Sequence, residues 1–285
     1  MLDSSLILKL LKDKLIAKGR SDTTIKIYLF FVKKFLSFVN HPPPYSENDL
    51  VSFFAKLKEE GASERGRAYE QNSLRMVYRV MKRFFELMGW TWPFSKEDMP
   101  KLVEKPQPYV TFEDWKKMLN LARKNPVHTA MLWILWVTGC RREQLCRLLK
   151  KDFDPKSGKL TVPAMKGGQP VEWILPKPAV DAILQVISFK PHSPYLIPGK
   201  KGMIHPSTVT RVVDHYLKKA GIKARGAHSL RRGRATFLFK ELGMRERELQ
   251  AVMGWKTPTM PHKYIQLISE EERKRIYEKD PIYRL

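Results

Sequence analysis

The sequence predicts a mainly α protein with one small β-hairpin or sheet, an α+β chain arranged as two domains. Three observations carry that reading. Apolar residues recur at helical spacing through most of the chain, a proline-rich stretch without periodicity interrupts them near residue 105, and residues 159–176 form two β-rich runs around a Gly-Gly pair. A chain of 285 residues is long enough for two domains at about 150 residues each.

The elements follow in order. From Leu6 to Leu15 the apolar positions keep a helical period that stops at Gly19. A second helix opens at Ser21 and carries Ile25, Tyr28, Phe31, Phe35 and Phe38 before Pro42, Pro43 and Pro44 break it. Ser46 with Asp49 caps a third helix (Leu50, Val51, Phe54, Leu57), and a fourth carries Leu74, Val77, Met81, Phe84 and Phe85 up to Gly89. The first 90 residues therefore read as an all-helical bundle, and Trp90 to Thr111, marked by Pro93, Pro100, Pro106 and Pro108, as an extended, stiff connector in which the boundary falls near residue 105, giving a first, helical domain of 1–104. The second domain, 105–285, opens with a helix at Thr111, a very apolar helix ending at Thr138-Gly139, and a helical stretch to Leu149. The hairpin of 159–176 follows, with Lys166 at its tip beside Gly167-Gly168. Helical patterns return over 178–187, 206–220, 229–242 and 246–253, and a charged tail closes the chain over 269–285.

Charge selects the partner class. The chain has 53 Lys and Arg against 29 Asp and Glu, a net charge of +24, and is still 43% hydrophobic, so it folds and it attracts polyanions. Nucleic acid leads, and the excess lies mostly beyond residue 100, where 36 basic side chains face 17 acidic ones. Cys140 and Cys146 are too few for a disulfide framework or a zinc site. The first nine residues do not form a secretory signal, and the most apolar window, 131–137, is far shorter than the ~20 residues needed to cross a bilayer. A soluble, cytoplasmic protein with no membrane partner and no metal or other cofactor is expected.

A basic protein that acts on phosphodiesters without a metal must neutralise the transition state with side-chain cations, and arginine suits this best because its planar fork binds two oxygens and stays charged. Arg141 follows the Thr138-Gly139 break. His228 and Arg231 stand one helical turn apart, with Arg232 and Arg234 alongside, and Trp255 and Tyr264 follow. Taken singly, each has an ordinary structural role: a solvated arginine, a capping histidine, a core tryptophan, a half-buried tyrosine. The ordered set is what is specific. Thr138-Gly-Cys-Arg141-Arg-Glu-Gln-Leu145 resembles the T-G-x-R-x-x-E-L box of the tyrosine recombinases, the lambda-type integrases and Xer proteins. Lys166 stands at the hairpin-tip position of that family's lysine, His228-Ser-Leu-Arg231 resembles its H-x-L-R box, Met253-Gly-Trp255 its L-G-H/W box, and Tyr264 comes nine residues after Trp255, as the family's nucleophile does.

The resemblance implies a helical, SAM-like core-binding domain followed by a tyrosine-recombinase catalytic domain. It implies that Arg141 and Arg231 clamp the non-bridging phosphate oxygens, that His228 and Trp255 add hydrogen bonds, that Lys166 protonates the departing 5′ oxygen, and that Tyr264 attacks phosphorus to form a 3′-phosphotyrosyl intermediate. It further implies double-stranded DNA as partner, a homo-tetramer on two recombination sites, and a tail (269–285) that docks into a neighbouring protomer. Three positions depart from the family pattern: Gln144 replaces Glu, Gly167-Gly-Gln-Pro-Val replaces a second basic cluster, and Trp255 replaces His. Integration or excision of a mobile element and Xer-type resolution are both compatible with the chain. Two other activities share the same residues, sequence-specific DNA binding without catalysis and topoisomerase-like relaxation.

Overall fold

The computed structural model describes residues 3–59, 69–103, 107–165, 169–200 and 202–255. The chain divides into two compact units, Met1–Lys105 and Pro106–Leu285. In the first, α1 (Ser4–Ala17), α2 (Asp22–Val39), α3 (Glu47–Glu59) and α4 (Gln71–Met88) enclose a core that includes Leu11, Phe35, Phe53, Met81 and Phe84. Their starts are local chemistry. Asp3 accepts from the Leu6 N–H at 2.7 Å, and Ser46 and Asp49 exchange backbone and side-chain hydrogen bonds in a capping box.

The first part of the connector is not a free spacer. Trp90, Trp92 and Phe94 pack against the bundle, Trp92 lying 5.1 Å from the Tyr78 ring and 5.4 Å from Phe85 between centroids. Arg75 donates to the Pro100 carbonyl at 2.6 Å, and Asn72 exchanges two hydrogen bonds with Val103. Trp90, Trp92 and Phe94 thus bury apolar surface against the bundle from a segment without a helical period.

The second unit is built on α6 (Pro126–Thr138), which is apolar on every side and buried along most of its length, including Met131, Leu132, Ile134, Leu135 and Trp136. It packs against α5 (Phe112–Ala122), α8 (Lys177–Phe189) and α10 (Ala227–Lys240). Trp115 of α5 stacks on Trp136 at 5.3 Å and donates its indole N–H to the Leu132 carbonyl. After the short α7 (Arg142–Arg147) a three-stranded antiparallel sheet runs β1 (Phe153–Asp154), β2 (Lys159–Val162), β3 (Val171–Ile174), with Leu160 opposite both Phe153 and Trp173. The expected hairpin is the β2–β3 pair. β1 and the two-residue strands β4 (Pro198–Gly199) and β5 (Gly202–Met203) are additional, each too short to show alternation. Lys166, Gly167 and Gly168 fall outside the described residues, as does the tail 269–285. α9 (Pro206–Lys219) and α11 (Glu246–Val252) complete the described elements, and none of the described helices is long and apolar enough to cross a membrane.

The segment that enters the second unit is lashed along α10. Arg232 donates through Nε and Nη2 to the Pro108 carbonyl, and the Val110 N–H donates to the Ser229 carbonyl at 3.2 Å. This close approach explains a glycine in mid-helix. A Cβ on Gly233 would stand 1.8 Å from the Val110 carbonyl oxygen, so only glycine lets the segment lie there. Gly233→Ala is expected to lower stability by about 2–3 kcal/mol or more, as overpacking does. Gly221→Ala, which meets nothing within 4 Å but has φ +70°, should cost only about 1 kcal/mol. Urea unfolding of the two variants measures the difference, and equal losses would contradict the packing argument.

Candidate active site

The site forms where the turn between α6 and α7, the first turns of α10 and the end of α11 meet the sheet. At the first of these, Gly139 closes α6 in the left-handed conformation (φ +57°), and Thr138 takes the hydrogen bonds of the turn, donating to the Ile134 carbonyl and accepting from the Cys140 N–H. A Cβ on Gly139 would come within 2.7 Å of the Met253 methyl. The tight reversal carries Arg141 to the N-cap of α7, with extended backbone (φ −74°, ψ 151°). Among the described residues no group accepts a hydrogen bond from its guanidinium. Gln144 holds this turn from below: its Oε1 accepts from the Arg141 N–H at 2.9 Å, and its Nε2 donates to the Pro163 carbonyl at 2.8 Å.

Arg231 is only 2% exposed, an unusual place for a charge. Its Nη1 donates to the Gly139 carbonyl at 2.5 Å and its Nη2 to the Met253 carbonyl at 2.8 Å, while the guanidinium lies 5.6 Å from the Trp255 ring centroid. Both terminal nitrogens carry two protons. Trp255 is itself buried, and its backbone is fixed by an N–H donated to the Gln250 carbonyl at 3.0 Å.

Arg141 borders two clefts. One is shared with Arg231, Gln144, Trp173, Met165 and Gln169, the other with His228, Cys140, Glu143, Thr210 and Gly226. Four of the six residues singled out in the sequence, Arg141, His228, Arg231 and Trp255, are thus brought to one place. Lys166 and Tyr264 lie outside the described residues, although Met165 and Gln169, which flank 166–168, line the cleft that holds both arginines. Arg232 and Arg234, which crowd the same helix in the sequence, have other tasks. Arg232 binds Pro108, and Arg234 stacks 5.7 Å over Trp173 and 5.8 Å over Phe237, with burial lowering its pKa to about 10. The Gly139 and Met253 carbonyls escape a reading of side chains, since nothing in a residue's identity marks its backbone as a ligand. Among the described residues no group of three His, Cys, Asp or Glu stands where it could hold a metal.

The electrostatics are those of an anion site. The His228 pKa is pushed down to about 4, first by loss of water around the ring and then by Arg232, Arg231 and Arg141, against the weaker pull of Glu143. Burial raises the Cys140 thiol to about 11, which leaves it protonated and inert beside Arg141.

The lowered His228 pKa fixes a pH dependence. The unfolded chain takes up a proton near the ordinary 6.5, the folded one only near 4, so stability falls as pH drops through that window and is fully kept above it. His228 keeps an exposed edge, and solvent screening makes the effect smaller than the whole shift. Between pH 7 and pH 5 the wild-type melting temperature should therefore drop further than that of His228→Gln; parallel melting curves would show that the histidine is not held neutral.

Comparison with known proteins gives the same assignment. Residues 108–271 match the model described as the phage integrase family, and residues 7–88 match the phage integrase N-terminal SAM-like domain. Tyrosine recombinase XerA of Pyrococcus furiosus is 30% identical over 243 residues, covering 83% of this chain and 81% of that protein. Among solved structures, a lambda integrase dimer bound to a COC′ core site superposes with a TM-score of 0.73 at 18% identity, covering 94% of this chain and 95% of that one. A lambda integrase tetramer bound to a Holliday junction gives 0.73 at 18% identity, with 91% and 76% covered. With a family model spanning more than half of its length and its arginines, histidine and tryptophan gathered in one place, the chain belongs to the phage integrase family and is a tyrosine site-specific recombinase.

Proposed function

We propose that this recombinase binds double-stranded DNA, assembles as a tetramer on two sites, and cuts and rejoins strands with Arg141, Lys166, His228, Arg231, Trp255 and Tyr264 as its catalytic set. The placement of Arg141, Arg231 and His228 on adjoining clefts, with Trp255 buried beside Arg231, is the observation that carries the reading. Two guanidiniums in reach of one phosphate neutralise the charge that grows on its non-bridging oxygens, in a site where much of the water has been replaced by fixed donors. His228 and Trp255 add N–H groups to the same oxygens.

The Tyr264 oxygen forms a bond to phosphorus as the bond from phosphorus to the 5′ oxygen breaks. The phenol proton passes to solvent, and the departing oxygen takes a proton from the Lys166 ammonium. The 3′-phosphotyrosyl ester keeps the energy of the broken bond, so attack by a 5′ hydroxyl of another strand reseals the DNA without ATP. The roles of Lys166 and Tyr264 rest on their match to the family boxes. The net charge of +24 supplies the long-range attraction to DNA, and the tetramer follows by analogy with the junction-bound lambda integrase.

The test is a denaturing gel for a covalent adduct, with nicked duplex fragments from the source genome and neither metal nor ATP. Wild type should form an adduct whose DNA identifies the site, Tyr264→Phe should form none while binding with unchanged affinity, and Arg231→Ala should react at least about a hundredfold more slowly. An adduct retained in Tyr264→Phe would move the nucleophile elsewhere, and tight selective binding without any adduct would favour a non-catalytic DNA-binding role.

A further inference from the structure

The residue at which the first box departs from its family also makes a contact that the family's residue type could not. Gln144 is 8% exposed and bridges two segments with opposite chemistry, accepting at Oε1 from the Arg141 N–H and donating at Nε2 to the Pro163 carbonyl. An ionised glutamate could make the first bond. It has no proton for the second, and would set a negative oxygen against the Pro163 carbonyl oxygen where little water reaches it. Pro163 is the residue after β2, three before Lys166, and Met165 between them lines the cleft of Arg141 and Arg231.

The opposite arm of the hairpin is held differently. Trp173 of β3 lies under the Arg234 guanidinium of α10, and Val171 abuts Gly254, where an added Cβ would meet its Cγ2 at 3.1 Å. The β3 arm is thereby fixed to the side of the site that carries Arg231 and Trp255, and Gln144 fixes the β2 arm to the side that carries Arg141.

We propose that Gln144 is a positioning residue for the leaving-group step: its amide, a donor and an acceptor at once, locks the β2 end of the hairpin to the Arg141 turn and so sets the reach of Lys166 to the departing oxygen. The inference rests on the reading of Lys166 as the general acid. A neutral amide makes this lock independent of pH, whereas a carboxylate would have to be protonated to replace it.

The experiment compares two versions of the duplex site trapped by the wild-type adduct, one with the ordinary 5′ bridging oxygen and one with sulfur in its place. A thiolate leaves without being protonated, so sulfur removes the need for a general acid and for anything that positions it. Gln144→Glu keeps the cap on Arg141 and loses the donor; Gln144→Ala loses both. On the oxygen substrate both should cleave about tenfold or more slowly than wild type, and on the sulfur substrate Gln144→Glu should come within about twofold of it. The ratio of the two rates within one variant does not depend on how much of the sample is folded, so partial unfolding does not imitate the result.

Lys166→Ala and Arg231→Ala calibrate the pair, the first expected to be rescued by sulfur and the second not. If Lys166→Ala is rescued while Gln144→Glu is slowed equally on both substrates, or not slowed at all, the positioning role is overturned and Gln144 serves only the Arg141 turn. If Lys166→Ala itself is not rescued, the general-acid reading fails first and the inference falls with it.

Discussion

A guanidinium buried at the meeting point of three segments organises this active site. Arg231 ties α10 to the carbonyl of Gly139, at the end of α6, and to the carbonyl of Met253, just past α11. Taking a charge out of water costs several kcal/mol unless it is fully engaged, so any movement that separates these segments exposes a penalty the rest of the core would have to meet. The left-handed turn at Gly139, the close fit of Gly139 against Met253, and the stacking of Trp255 beside the same guanidinium all follow from that demand. The arginine proposed to stabilise the phosphoryl transition state thus also ties together the segments around the site, and its two carbonyl bonds fix its orientation.

The surrounding scaffold converts this anchor into a preorganised site. Gly233 and the hydrogen bonds of Arg232 to Pro108 press the entering segment against α10, and the stacked Trp115 and Trp136 lock α5 to the apolar α6. The site keeps His228 neutral beside Arg232, Arg231 and Arg141, whose charges oppose its protonation. The two arms of the hairpin are fastened to opposite sides of this site by unlike means, a hydrogen-bonded amide at β2 and a cation over an aromatic ring at β3.

The sequence by itself determined the two-unit helical organisation, the β2–β3 hairpin and the family, and it named the residues proposed as the catalytic set, because these depend on period, charge and the order of residues in boxes. Period 3.6 needs only a run of side chains, and the boxes at 138–145, 228–231 and 253–255 are contiguous. Tertiary structure decided the rest, for reasons that spacing does not encode. Trp90, Trp92 and Phe94 read as connector because an irregular segment that packs on a bundle has no helical signature. β1, β4 and β5 are two residues long and exist only through pairing with partners already placed. The neighbouring arginines 231, 232 and 234 are indistinguishable as letters; one binds two carbonyls in the site, one holds the entry segment and one stacks on the hairpin, according to the direction each takes from the helix. Gln144 is legible as a departure from a pattern, but that its amide spans from the Arg141 turn to the hairpin depends on a carbonyl nineteen residues away, brought within 2.8 Å by the folding of everything between.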